Sequence, residues 1–261
     1  MKPLLYTMIH VPALPGTPRH RLSSKEIIAQ CEKEAVIYRE AGVDGIIVEN
    51  MHDVPYMART CGPEIVAMMT RCCQVVRKAS GLETGVQILA GANKEALAVA
   101  LAADCQFIRA EGFVFGHLAD EGYIDSDAGE LLRYRNAISA EHIKVYTDIK
   151  KKHSSHMLTS DISLKETARA AEFFLSDGLI VTGGSTGEAA SPADLKEAKS
   201  AGTLPVLIGS GITPENVATY QQADGFIVGS WIKKNGDWKE EPDPNRIENM
   251  VQAIRSLTLA P

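Results

Sequence analysis

The segment Ile143-Lys-Val-Tyr-Thr-Asp-Ile-Lys150 alternates apolar and ionisable residues in the manner of a strand. Ile143, Val145 and Ile149 share one face, so Tyr146, Asp148 and Lys150 share the other. The same parity in Phe107–Ala110 and just beyond sets Arg109 and Glu111 opposite Ile108 and Ala110. It sets Glu49 opposite Ile46 and Val48, and Gln87 opposite Val86 and Ile88. His10 shares a face with Met8, and Thr182 ends a further apolar run. Carboxylates beside cationic side chains are the inventory of general acid–base chemistry, because opposed charges in a cleft drive pKa values apart. Asp148 and Glu49 are the candidate base and acid, with Arg109 or Lys150 stabilising a developing oxyanion. Lys150 could also form a Schiff base. His10, Asn50, Asp53, Gln87, Glu111, His153 and Thr182 are the candidate substrate-binding residues. Isomerisation, epimerisation, retro-aldol cleavage and glycosidic cleavage all fit this set. The alternative is a salt-bridged ring that plugs a barrel, since each group is costly to bury without a partner.

Small-residue loops offer a second kind of chemistry. Gly183 and Gly184, Gly209-Ser210-Gly211, and Gly229-Ser230 each follow an apolar run. Glycine lets backbone N–H groups approach a phosphate closely, and a following helix N-terminus adds partial positive charge. Tight βα turns also favour glycine, which is the plainer explanation. Lys233 and Lys234 read as solvated loop residues. His10, His52, Asp53 and His153 are suitable ligands for a divalent metal, but no H-x-H or H-E-x-x-H spacing places them on one face, so no metal or other cofactor is assigned.

The elements that must position these residues alternate. Apolar runs at Leu4–His10, Gly45–Glu49, Thr84–Leu89, Phe107–Ala110, Ile143–Ile149, Gly178–Val181, Pro205–Ile208 and Phe226–Val228 are separated by helical patterns. The helices are expected over Ser24–Ala41, Gly62–Ala79, Asn93–Ala103, Ala128–Ile138, Ser163–Leu175, Pro192–Ala201, a short stretch after Pro214, and Pro244–Leu257. Eight such units in 261 residues, with no segment left over, predict a single (β/α)8 barrel over 1–261 rather than an open doubly wound sheet. Its active site would lie at the C-terminal ends of the strands, and the loops after the seventh and eighth strands often hold phosphate in such barrels. The long Phe113–Asp127 segment reads as a polar lid or a subunit contact.

Composition narrows the classes. With 27 basic and 33 acidic residues the net charge is -6, which argues against a nucleic-acid or anionic-membrane binder. No apolar run approaches the ~18 residues of a membrane span. The five cysteines lack paired spacing and read as reduced thiols. A strand begins almost at the first residue, so a cytoplasmic location is expected, or an organellar matrix if a presequence has been removed. A small phosphorylated ligand is the expected partner, and self-association stays open.

Several segments together resemble the BtpA family of TIM-barrel proteins. They are Met8–Gly16, Asp44–Pro55, Glu130–Arg135, Asp148–His153, Gly178–Gly187 and Gly209–Gly211, spread over nearly the whole chain. The resemblance implies the barrel independently of periodicity. It also implies a competing role, a non-catalytic assembly or stability factor of the photosystem I biogenesis kind. Family members encoded near sugar-transport and epimerase genes point instead to carbohydrate metabolism.

Overall fold

Apolar runs of four to seven residues form strands and the amphipathic stretches between them form helices, because neighbouring parallel strands need a long crossover, usually a helix, that also covers their outer faces. The computed structural model describes residues 2–257, so residue 1 and residues 258–261 of the expected 1–261 domain lie outside the described residues. In chain order the elements are β1 (Leu4–His10), α1 (Ser24–Ala41), β2 (Gly45–Glu49), α2 (Pro63–Ser80), β3 (Glu83–Gln87), α3 (Asn93–Ala102) and β4 (Phe107–Ala110). There follow β5 (His117–Ala119), β6 (Gly122–Ile124), α4 (Ala128–Ala137), β7 (Lys144–Lys150), β8 (Ser154–Ser155), α5 (Leu164–Phe173), β9 (Gly178–Val181), α6 (Pro192–Lys199), β10 (Val206–Gly209), β11 (Gly225–Val228) and α7 (Pro244–Arg255). Eight strands close into a parallel barrel in the order β1-β2-β3-β4-β7-β9-β10-β11 and back to β1.

Helix α1 shows how local sequence sets these boundaries. Ser23 and Glu26 form a reciprocal capping box at its start, and Gly42, at φ 76°, ends it. Ile27, Cys31, Ala35 and Tyr38 make its buried stripe. Two units depart from the regular pattern. The crossover after β10 is a four-residue 3-10 turn, Val217–Tyr220, rather than an α-helix. The Phe113–Asp127 segment carries regular structure: β5 and β6 pair antiparallel, and β8, from the loop after β7, pairs with β5. Strands of two or three residues are too short to leave a readable period.

Two layers of apolar packing hold the barrel. Outward-facing strand residues such as Ile46, Val48, Ile108, Val145 and Val181 join the helices in the larger core. Inside, Tyr6, Met8, Ile47, Phe107, Tyr146, Ile180, Leu207 and Ile227 fill the lower barrel. Its three aromatic rings each stand in register with a glycine on the next strand: Tyr6 with Gly45, Phe107 with Gly85, and Tyr146 with Gly178. A Cβ at Gly85 would lie 2.1 Å from the Phe107 ring, and one at Gly178 2.3 Å from the Tyr146 ring. The rings fill the lower barrel because their neighbours have no side chain. All five cysteines are unpaired. Among the described residues no helix is long and apolar enough to cross a membrane.

Gly85→Ala is therefore expected to lower stability by about 1–3 kcal/mol through overpacking, read as a lower urea midpoint with an unchanged denaturant slope.

Candidate active site

Above the aromatic layer the inward positions become polar. His10 on β1, Glu49 on β2, Gln87 on β3, Arg109 on β4 and Asp148 on β7 are all buried. Arg109 and Asp148 form a two-pronged ion pair across neighbouring strands, with Nε to Oδ2 at 2.8 Å and Nη2 to Oδ1 at 2.9 Å. Burial opposes the guanidinium's charge, but Asp148, Glu49 and Glu111 hold it above its ordinary pKa. Both Asp148 oxygens accept from Arg109, so Asp148 fixes the guanidinium and is not a free base.

Glu49 is differently placed. Its carboxylate makes no hydrogen bond among the described residues, and Oε2 lies 3.7 Å from His10 Nε2. Burial raises its pKa, with Asp148 adding to the effect and Lys152 and Arg109 pulling the other way. His10 Nδ1 lies 3.0 Å from the Trp238 carbonyl. A carbonyl can only accept, so this contact assigns the proton to Nδ1 and leaves the Nε2 lone pair toward Glu49. Burial, then the Lys233 charge, keep His10 well below the ordinary imidazole pKa. A neutral imidazole and a carboxyl of raised pKa thus face one another, an arrangement through which a proton can pass.

These groups open onto a cavity of about 150 Å³, whose lining includes Met8, His10, Glu49, Arg109 and Lys152. The lining also includes Thr186, Gly187, the run Gly209–Thr213, and Gly229, Ser230 and Trp231. The N–H groups of Gly211, Ile212, Ser230 and Trp231 donate to no protein acceptor among the described residues. Gly211 has φ +62°, and a Cβ there would lie 2.2 Å from the Ala189 nitrogen, so only glycine fits. The expected helix-dipole contribution is not found. A 3-10 turn follows β10, and α7 begins fourteen residues after Ser230, at Pro244.

The remaining sequence candidates fall elsewhere. Gly183 and Gly184 do not line the cavity: the Gly183 N–H donates to Ser210 Oγ at 3.1 Å, and the Gly184 carbonyl accepts from the His153 N–H at 2.9 Å. His153 is exposed and contacts Thr186 through Nε2. Asn50 and Asp53 tie loops together instead of facing a ligand: Asn50 donates to Asp53 and accepts from the Leu89 N–H, while Asp53 accepts from the Leu14 N–H. Thr182 Oγ1 donates to the Lys150 carbonyl. Glu111 accepts from Gln87 at 3.1 Å and pairs with Lys151 at 3.5 Å. Lys150 does not point inward. The register of β7 against β9 shifts between Asp148 and Lys150, and this bulge turns Lys150 out to a half-exposed ion pair with Asp194 at 3.3 Å.

The same bulge hides residues that strand parity does not reach. Lys151 turns inward to bridge Glu111 and Glu121, and Lys152 enters the cavity. Lys233 is not solvated: it is fully buried, 2.6 Å from Glu34. Arg59, from the loop after β2, donates to the Gly91, Glu111 and Gly112 carbonyls and pairs with Asp127. Among the described residues no three His, Cys, Asp or Glu side chains converge as they would around a metal ion.

The solved structure of orotidine 5'-monophosphate decarboxylase from Methanocaldococcus jannaschii, complexed with the inhibitor BMP, matches 98% of this chain and 100% of its own, with a TM-score of 0.64 and 14% identity. That likeness defines the class of fold, a (β/α)8 barrel. The chain belongs to the BtpA family, whose sequence profile matches residues 1–256. An uncharacterised protein of Caenorhabditis elegans, named as mitochondrial, is 50% identical over 98% of this chain and 94% of its own length. The photosystem I biogenesis protein BtpA of Synechocystis is 33% identical over 95% of this chain and 86% of its own.

Asp148→Asn removes the charge that balances a buried guanidinium, so it is expected to cost about 3–5 kcal/mol. A chemical-denaturation curve unchanged from wild type would show that the pair does not organise this layer.

Proposed function

We propose that the chain is an enzyme acting on a small phosphorylated metabolite, a sugar phosphate or a nucleotide-derived compound, by acid–base chemistry at the C-terminal mouth of the barrel. One observation carries this reading: a single cavity is lined both by loops whose backbone N–H groups have no protein acceptors among the described residues and by His10, Glu49, Arg109 and Lys152. The amides of Gly211, Ile212, Ser230 and Trp231 hold the phosphate, and that remote binding orients the reacting carbon. Glu49 donates or removes the proton, with His10 Nε2 as its exchange partner. Arg109, fixed by Asp148, stabilises the developing oxyanion. Isomerisation and carbon–carbon or glycosidic bond cleavage are the reactions this set serves. The ligand named for the structurally similar decarboxylase, a nucleoside monophosphate, supports the substrate class. The unpaired cysteines suit a reducing compartment, cytosol or organelle matrix, and the name of the nematode relative favours the latter.

A second reading, a non-catalytic assembly or stability factor, is favoured by the name of the Synechocystis relative and by one surface. Phe173, Phe174 and Leu175 are exposed at the end of α5, beside a groove along α4 lined by Ala128, Gly129 and Leu132.

Thermal unfolding against phosphorylated compounds, each paired with its dephosphorylated form, separates the two. A phosphorylated ligand at ~100 times its dissociation constant contributes about 2.7 kcal/mol and should raise the midpoint by roughly 5–10 °C. Glu49→Gln is expected to keep that shift and lose turnover. A flat panel would contradict the enzyme reading and leave the surface beside α5 as the functional one.

A further inference from the structure

Three consecutive lysines follow Asp148 and Ile149, and the β7 bulge gives each a different environment. Lys150 pairs with Asp194 at 3.3 Å, and Lys151 with Glu121 at 3.3 Å and Glu111 at 3.5 Å. Lys152 lines the catalytic cavity, yet among the described residues no carboxylate lies within ion-pair distance of its amine. It shares that cavity with Glu49, His10 and Arg109.

We propose that Lys152 is a catalytic nucleophile, whose amine condenses with the carbonyl carbon of a phosphorylated aldehyde or ketone bound in this cavity. The proposal rests on the phosphate reading above and narrows its substrate class to carbonyl compounds. Burial, and then the Arg109 charge, lower the Lys152 pKa, against the pull of Glu49, Asp148 and Glu111. Both effects favour the neutral amine, the form that attacks a carbonyl. The phosphate has its own donors in the amides of the loops after β10 and β11.

The step balances without an oxidant or reductant. The nitrogen lone pair forms the C–N bond as the carbonyl π pair moves to oxygen, which takes a proton from Glu49. The proton left on nitrogen returns to the Glu49 carboxylate, which passes it to the hydroxyl. Water leaves as the C=N bond forms, so one amine, one carbonyl and the Glu49 proton give one protonated imine, one water and the Glu49 carboxylate. The imine then draws electrons from the neighbouring carbon, whose proton the His10 Nε2 lone pair is placed to take. Loss of that proton serves isomerisation. In retro-aldol cleavage the same imine takes the electron pair of the bond between its neighbouring carbon and the next, while the base removes the proton of the hydroxyl on that next carbon, which leaves as a carbonyl. Glycosidic cleavage needs no imine.

The test treats the full chain with glyceraldehyde 3-phosphate or dihydroxyacetone phosphate and sodium cyanoborohydride, which reduces an imine to a stable secondary amine, and maps the adduct by peptide mass spectrometry. Thermal unfolding with the same compounds and with inorganic phosphate, without reductant, runs alongside. The expected result is an adduct concentrated on Lys152, suppressed by excess inorganic phosphate, lost in Lys152→Arg and Lys152→Met, and not formed with unphosphorylated glyceraldehyde at the same concentration. The wild-type map decides the matter even where a variant fails to fold. A midpoint raised by any of the phosphate compounds, with labelling only on exposed lysines or nowhere, would overturn the nucleophile while leaving the phosphate site standing. No midpoint change with any of them would remove the phosphate site, and the nucleophile with it.

Discussion

The Arg109–Asp148 pair is the interaction around which the upper barrel is arranged. Two buried, opposite charges on adjacent strands, joined by two hydrogen bonds, fix β4 against β7 at the level where the interior changes from apolar to polar. Desolvation makes such a pair costly in isolation, and its geometry offsets that cost only because both prongs are made. Below it, aromatic rings opposite glycines close the barrel floor. Above it, Glu49 and His10 remain free of strong partners and open to the cavity. The pair thus holds the guanidinium in place at the site, with both oxygens of its carboxylate taken up by Arg109.

A second constraint comes from the loop after β11. Lys233, buried against Glu34, anchors a segment whose Trp238 carbonyl accepts from His10 Nδ1. One contact therefore sets the His10 tautomer, and the anchor's charge adds to burial in keeping the ring neutral. The Lys151 bridge to Glu111 and Glu121 plays the corresponding part on the other side, joining the β5–β6 hairpin to the barrel mouth. Both loops are ordered by buried lysines rather than by apolar packing alone.

Much of this was legible in the chain. Strand parity placed His10, Glu49, Gln87, Arg109 and Asp148 in one inner layer, because each outer face had to be apolar to pack on helices. Parity failed at Lys150, where a bulge shifts the register by one and no residue type announces it. It failed for Lys151 and Lys152 for the same reason. Asn50 and Asp53 were polar residues at a strand end, but their partners, the Leu89 and Leu14 N–H groups, come from loops about 39 residues away that only the closed barrel brings near. Lys233 looked solvated because its partner, Glu34, is 199 residues distant in sequence. The role of Asp148 was likewise invisible until Arg109 was seen to occupy both its oxygens.

The central claim is that the amides after β10 and β11 bind a phosphate in the cavity that Glu49 also lines. Backbone amide resonances followed during titration with glycerol phosphate test it most directly. The account predicts that the Gly211, Ile212, Ser230 and Trp231 signals move together and saturate with one dissociation constant, while an equal concentration of glycerol leaves them in place. Unchanged signals at those four residues, or movement confined to the exposed surface around Phe173, would contradict it.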